Sequence, residues 1–457
     1  MTALLNTILC LFLTILPGSL SFNVKDFGAR GDGRALDSPH VDQAIEAAAL
    51  AGGGTVYFPQ GTYRCGSMHL KSNIHLYLDN GCTIVASPRN PGDYDREEAS
   101  SPWEPYQDAG HTYFENSLFW GRGLENVSIS GEGKIDGRGL TRKTREPGRG
   151  KIGMANKAIC LVECKNVSIR DITIFKGGHF AILLTGCSGV VLDGLSIDTN
   201  RDGIDIDCCK DVIVSGCRVN SPQDDAICAK SSYALGRKIV TENLVIKECE
   251  VSAYRMGTLL DGTRKTRRPS PTFARCGRIK FGTESNGGFR NCVISDCKFL
   301  SCKGLALEEV DGGVMENIVV SNLTMEDLTG YAIYIQLGER LRDPDQNSSS
   351  AGRNIFISNV LAEVTDKPLT GIFISGTPRF TLENISLTDI TVYVKGGARR
   401  CVKSDFPEIG RRYPELAAFR KRVPAYGLYS RHVTALNLDS VQVFARKPDA
   451  RPATIIK

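Results

Sequence analysis

From Asn126 onward the chain repeats one short pattern: a turn residue, usually Asn or Asp, then two brief stretches in which apolar and polar side chains alternate. It is plain in Asn166-Val-Ser-Ile-Arg-Asp-Ile-Thr-Ile, Val190-Val-Leu-Asp-Gly-Leu-Ser-Ile, Asp211-Val-Ile-Val-Ser-Gly-Cys-Arg-Val and Asn243-Leu-Val-Ile-Lys-Glu-Cys-Glu-Val, and it returns at Asn291, Asn317, Asn354, Asn384 and Leu436. Copies recur every twenty to thirty residues or so, with longer gaps where loops intervene. Each unit presents an apolar face that it cannot bury alone. Stacking the units as coils of an all-β parallel β-helix gives them one continuous interior.

The start of the chain departs from this pattern. Phe22-Asn-Val-Lys-Asp-Phe-Gly-Ala-Arg-Gly-Asp-Gly reads as strand and turn, after which Ser38 and Pro39 offer an N-cap and first-turn pair before Val41, Ala44, Ile45 and Ala48 on one helical face. Gly52-Gly53-Gly54 ends that helix, which is placed to cap the open end of a solenoid. No second domain is legible, only a long C-terminal tail with an excursion near Arg399 to Tyr426.

Cysteine usage changes the picture little. Sixteen cysteines suggest disulfides, but the sixth residue after the turn is Ile172, Leu195, Cys217, Cys249, Cys297 and Leu323 in successive copies, so Cys alternates freely with Ile and Leu. Cys164, Cys187 and Cys209 share another coil position. Packing is the favoured reading over disulfide or metal chemistry. The turn asparagines also create glycosylation sequons at Asn126, Asn166, Asn322 and Asn384, and a further sequon at Asn347 lies in a Ser-rich loop and is the best acceptor.

Met1 to Ser21 is one apolar stretch closing on small residues, which reads as a secretory leader cut before Phe22, with an uncleaved anchor as the alternative. The expected mature domain is 22–457, secreted and monomeric, with no later segment of membrane-spanning length. A formal net charge of +5 fits an acidic substrate. The basic stretch Arg264 to Arg268 and Arg275 reads as a loop that steers polyanions, and nucleic acid is disfavoured because no aromatic-basic interleaving accompanies it.

Candidate chemistry is concentrated on two successive coils. Asn200-Arg201-Asp202-Gly203-Ile204-Asp205-Ile206-Asp207 is followed one repeat later by Asp224 and Asp225. Adjacent parallel strands lie about 4.8 Å apart, so these carboxylates share a patch, and crowding lets one keep a proton while another stays ionised. Arg278 and Lys280 lie on one strand face by period-two alternation. Any one of these residues is more simply a turn former or surface charge; the set together points to a site. Asp205 and Asp207 alternate with Ile204 and Ile206, so they share a face with Asp202 only if a bend intervenes. Lys230 has the parity to pair with the Asp224 cluster, and His179 to reach the same face.

The opening Phe-Gly-Ala-Arg-Gly-Asp-Gly, the repeats, Asn200-Arg201-Asp202, Asp224-Asp225 and Arg278-Ile279-Lys280, in that order, resemble glycoside hydrolase family 28, the polygalacturonases. The resemblance implies a right-handed parallel β-helix and metal-free, cofactor-free, inverting hydrolysis of galacturonide linkages in acidic plant-cell-wall polysaccharide. It implies that Asp224 is the general acid, that Asp202 and Asp225 activate water, that Arg278 and Lys280 bind the uronate carboxylate and that Tyr331 contacts substrate. Two departures stand out: Arg201 replaces a Thr of the family motif, and no His lies between Asp225 and Arg278 where the family carries Gly-His-Gly. The role of that His is either lost or supplied by another residue such as Arg255 or Asp261, and Arg255 and Lys230 are counted among the substrate-binding residues. A β-helix polysaccharide lyase and a non-catalytic carbohydrate-binding β-helix are the competing expectations, and inserted loops suggest attack from the chain end.

Overall fold

A computed structural model describes residues 20–88, 90–108, 110–141, 154–266, 275–345, 347–366, 370–401, 406–419 and 421–457. Nearly all of the leader and the proline-bearing part of the basic loop fall outside these residues.

The repeats stack as expected. One face of the solenoid is a 12-stranded sheet whose strands follow one another in strict chain order from Met68–His69 to Thr454–Ile456, and a second, 22-stranded sheet carries the remaining coil strands. Every pairing along both sheets is parallel, as between Asp202–Asp207 and Ile227–Ser231 or between Val314–Leu328 and Ala351–Val364. Inward side chains such as Ile182, Leu184, Ile204, Ile206, Ile227, Ile279, Phe281, Leu305 and Leu307 belong to one core running the length of the molecule.

The turn asparagines hold left-handed backbone, Asn126, Asn166, Asn243, Asn291, Asn317, Asn354 and Asn384 all having φ between 53° and 58°. Such a conformation suits Asn better than most side chains. Their amides bond from coil to coil: Asn166 donates to Asn126 (3.1 Å), Asn317 to Asn291 (3.0 Å), Asn354 to Asn317 (3.0 Å) and Asn384 to Asn354 (2.8 Å). Each rung adds on the order of 1 kcal/mol. The sequons at Asn126, Asn166, Asn322 and Asn384 are thus ladder positions, whereas Asn347 is exposed.

Fourteen of the fifteen cysteines among the described residues are buried free thiols, and Cys401 is exposed. Cys187 and Cys209 donate to the carbonyls of Leu161 and Leu184 one coil back (3.4 and 3.5 Å), so the thiols fill interior positions and tie successive coils. The single α-helix among the described residues, Ser38–Leu50, buries Val41, Ala44, Ile45 and Ala48 against the first coils. It starts one residue earlier than expected: Asp37 is the N-cap, and Ser38 the first helical residue. The Asp37 carboxylate makes no cap bond because it accepts from the amides of Arg30 (2.7 Å) and Gly31 (3.2 Å) in the preceding turn.

The excursion after Arg399 folds back as a strap over the outer face of the 12-stranded sheet. Phe406, Ile409, Leu416, Phe419 and Val423 pack there on Tyr331, Tyr334, Phe373 and Tyr429. Arg431 donates to the Phe406 and Pro407 carbonyls (2.7 and 2.8 Å) and pins the strap's near end.

Candidate active site

Simple alternation fails at one place in this sheet, and that failure builds the site. In Phe180-Ala181-Ile182, Asp225-Ala226-Ile227 and Tyr331-Ala332-Ile333 two successive side chains turn into the core. Asp202-Gly203-Ile204 follows suit, since a Cβ on Gly203 would meet Val219 Cγ1 and the Ala226 carbonyl at 2.4 Å. The ladder shows the matching irregularity: Ala226 N and Ile227 N both donate to the Arg278 carbonyl (2.9 and 3.3 Å), and Ala332 N and Ile333 N both donate to that of Gly371 (2.8 and 3.4 Å). Such a bulge re-aims the residue before it. Phe180, Asp202, Asp225 and Tyr331 therefore face outward, on the same side as Leu183, Asp205, Cys228 and Tyr334. This is the bend on which a common face for Asp202, Asp205 and Asp207 depended.

Three carboxylates meet there. The amide of Asp225 donates to both Asp202 Oδ1 (3.3 Å) and Asp224 Oδ1 (3.1 Å). Their surroundings differ. Asp202 is buried, and burial together with the charges of Asp224 and Asp205 pushes its carboxyl well above the usual range. Asp225 is equally buried, which opposes its ionisation, but Arg278 and Lys280 more than offset this and hold it below the usual range. Asp224 is the outermost of the three, its side chain about a quarter exposed, with Oδ2 ion-paired to Arg201 at 2.7 Å. His179 reaches the same place, with Nε2 3.3 Å from Arg201. Cys276 Sγ donates to Asp225 Oδ1 (3.2 Å).

Arg278 and Lys280 adjoin Asp225 but are sealed from solvent. Arg278 Nε donates to Asp225 Oδ1 (2.7 Å), its Nη1 to the Tyr331 hydroxyl, and its Nη2 pairs with Glu415 Oε1 (2.7 Å). Lys280 Nζ donates to Thr283 Oγ1 (2.8 Å) and Tyr413 Oη (2.9 Å) and lies 3.5 Å from Asp225 and 3.4 Å from Glu308. Lys230 pairs not with Asp224 but with Glu284 (3.0 Å) and, more loosely, Asp205 (3.9 Å), because its strand register sets it beside Asp207. Asp205 is pushed up to about 8, first by burial, which Lys230 only partly counters. His111 covers this pair, 3.9 Å from Asp205 and 3.8 Å from Asp207, and burial pushes it down to about 3.

Neither proposed stand-in for the absent motif His joins the cluster. Arg255 is exposed, its backbone tied to Lys265 and Thr258, and no hydrogen bond or ion pair links it to Asp202, Asp224 or Asp225. The Asp261 carboxylate instead accepts from Thr263. Sequence reasoning missed Glu308, Tyr413 and Glu415. Glu308 left a signal, an acidic residue inside the apolar run Leu305-Ala-Leu-Glu-Glu; Tyr413 and Glu415 come from the non-repeating strap and left none. Chemically, a carboxyl shifted up and a carboxyl shifted down beside a partly exposed third supply the unequal proton affinities that acid–base catalysis requires.

Comparison with known proteins agrees with this architecture. A 65-residue stretch, 12% of this chain, is 46% identical to alginate lyase 7 of Azotobacter vinelandii, but spans only 8% of that protein. A longer match, 33% identical over 180 residues, covers 38% of the chain and 23% of the plasmin and fibronectin-binding protein A of Streptococcus pneumoniae strain ATCC BAA-255 / R6. Among solved structures, the exopolygalacturonase of Thermotoga maritima superposes over 95% of this chain and 96% of its own with a TM-score of 0.67 at 19% identity, a likeness of fold that makes this solenoid a right-handed parallel β-helix. The family model described as rhamnogalacturonase A/epimerase, pectate lyase-like matches residues 21–254, just over half of the chain and the part holding Asp202, Asp224 and Asp225, and the chain belongs to that family.

Proposed function

We propose that this protein is a glycoside hydrolase of pectic polysaccharide that uses Asp202, Asp224 and Asp225. The observation that carries the proposal is the convergence of the Asp202 and Asp224 carboxylates on the amide of Asp225, with Asp202 and Asp225 in opposite electrostatic surroundings. Asp224, the carboxyl nearest solvent, delivers the proton to the leaving glycosidic oxygen. Asp225, held below the usual carboxylate range by Arg278 and Lys280, activates water with Asp202 beside it, and the anomeric centre is inverted. Arg342 bridges Asp108 (2.8 Å) and the buried Glu284 (2.6 Å), and Tyr413 bonds Lys280 (2.9 Å), so the loops carrying them lie over the outer face and favour attack from the chain end. Export by the Met1–Ser21 segment and action as a monomer complete the proposal.

The test is release of reducing ends from polygalacturonate and rhamnogalacturonan, with product anomers followed by proton NMR at early times. Asp224→Asn is expected to lower kcat/KM by about 10²–10⁴-fold with the thermal midpoint nearly unchanged. Full activity in that variant refutes the assignment. One observation favours a second reading, carbohydrate binding without cleavage: Arg201 already occupies an oxygen of the carboxyl that must carry the proton. Saturable binding of pectic oligosaccharide with no reducing-end release selects it.

A further inference from the structure

The cations beside the carboxylate trio are already engaged. Each of the three guanidinium nitrogens of Arg278 has a partner, in Asp225, Tyr331 and Glu415. Lys280 Nζ faces Thr283, Tyr413, Asp225 and Glu308. Both residues are 1% exposed. Lys303 is the third cation of the group, and its Nζ grips the same Glu415 oxygen at 2.8 Å. Three cations thus face three carboxylates, those of Asp225, Glu308 and Glu415. A substrate carboxylate arriving at Arg278 meets no guanidinium nitrogen without a partner and adds a negative charge beside the buried acids already there, which is costly where the surroundings are poorly screened.

Glu415 is the member that the solenoid does not supply. It arrives on the strap, whose flanking residues Leu416 and Phe419 are buried against Phe373, Phe406 and Tyr429. Arg278 and Lys303 outweigh the cost of its burial and hold its carboxyl at about 2, so it stays charged at any working pH. Its Oε1 occupies the position that a carboxylate bound to Arg278 Nη2 would take.

We infer that Glu415 is a specificity-determining residue, an internal carboxylate that fills the anion place on Arg278 so that the sugar seated beside Asp225 is an uncharged one. This rests on the proposed action on pectic chains and narrows it: the unit at that position is a neutral sugar or an esterified uronate, and free uronates lie at other positions along the chain. Substrates that alternate neutral and acidic sugars fit this requirement, and an unbroken run of free uronates does not.

The test uses the full mature chain and two probes, trigalacturonate and its methyl ester, with dissociation constants measured by titration calorimetry. Wild-type protein is expected to bind the ester at least as tightly as the free acid. Glu415→Gln, which keeps the shape and removes the charge, is expected to bind the free acid at least tenfold tighter than wild type, and Glu415→Ala, which empties the position, to do the same. A wild-type preference for the free acid of tenfold or more, or a free-acid/ester ratio that neither variant moves, overturns the inference, as does absence of binding in all three proteins. The readout is independent of turnover: if no pectic polymer is cleaved but the ratio reverses, the hydrolase proposal fails and the role of Glu415 stands. If pectic polymer is cleaved but the ratio does not move, the role of Glu415 fails and the hydrolase proposal stands.

Discussion

The strap is held down by an aromatic stack, and Phe373→Ala is the substitution that tests how much depends on it. Phe373 is fully buried and stacks between Tyr334 (5.3 Å between centroids) and Tyr429 (5.5 Å), with Phe406 and Phe419 of the strap at 5.8 and 5.7 Å. Its neighbours Ile372 and Ile374 point into the solenoid. The cavity left by truncation therefore opens between sheet and strap and leaves the coil interior intact. Truncating a buried Phe costs about 3–5 kcal/mol. If the loss falls on strap docking, about 3 kcal/mol raises the undocked population by roughly a hundredfold, at 1.4 kcal/mol per factor of ten. Amide hydrogen exchange followed by mass spectrometry reads this directly. Peptides covering 406–419, whose amides include the Ala418 N to Glu415 O bond, are expected to exchange about a hundred times faster, while those covering strands Ile333–Leu337 and Ile279–Ser285 keep their protection. Unchanged exchange in the strap, or equal acceleration in the solenoid strands, refutes the claim that the strap docks as a separate unit on this stack.

Two further outcomes follow from the site. Asp205 is an acid whose folded-state pKa is raised, from an ordinary 3.8 to about 8, so the stability tied to it is complete below the unfolded value and lost as pH rises through about 8. It faces Lys230, Asp207, His111, Asp202, Asp224, Asp225 and Cys228, and Asp205→Asn is expected to flatten part of the fall in denaturation midpoint between pH 5 and pH 9, leaving the part due to the other raised acids, among them Asp202 and Glu308, which burial pushes up to about 7; equal slopes in variant and wild type exclude this. Gly203→Ala sets a methyl 2.4 Å from the Ala226 carbonyl, so the bulge must give way at a cost of about 1–3 kcal/mol and Asp202 must swing; activity is expected to fall more than tenfold with only a small loss in thermal midpoint, and an active variant denies the bulge its positioning role.

The repeat was legible because its physics is local. Alternating Val-x-Ile pairs after a turn Asn demand stacking whatever the loops do, and interchange of Ile, Leu and Cys at one coil position marks that position as interior. The Asp202, Asp224 and Asp225 patch followed from the same stacking. What alternation could not give was the facing of Asp202 relative to Asp205, since a strict period of two sets them on opposite sides. The signal was present all the same: an outward residue, then Gly or Ala, then Ile recurs in Phe180-Ala-Ile, Asp202-Gly-Ile, Asp225-Ala-Ile and Tyr331-Ala-Ile, the small residue being the one that fits the extra inward position. Lys230 pairs with Glu284 and not with Asp224 because parity gives a face but not a neighbour along it. Glu415 and Tyr413 had no such signal, since their segment belongs to no repeat and its position depends on aromatic packing over a distant sheet.

Why Asp202 and Asp225, side by side on one face, are shifted in opposite directions is answered by the column in which they sit. On one side of Asp202, in register on the preceding coil, is Phe180. On the other side of Asp225, where Ala226 N bonds the Arg278 carbonyl, the next coil supplies Arg278. The column thus runs from an aromatic ring through two acids to a guanidinium. Asp202, beside a ring, loses water and faces the charges of Asp224 and Asp205, so its proton affinity rises; Asp225, beside a guanidinium, loses water but gains a charge partner, so its proton affinity falls. Asp224 stands just off the column, at the solvent edge with Arg201. The backbone bulge is shared by both acids, so the asymmetry that acid–base chemistry requires comes instead from a different neighbour one coil away on each side, and a solenoid can set those neighbours independently.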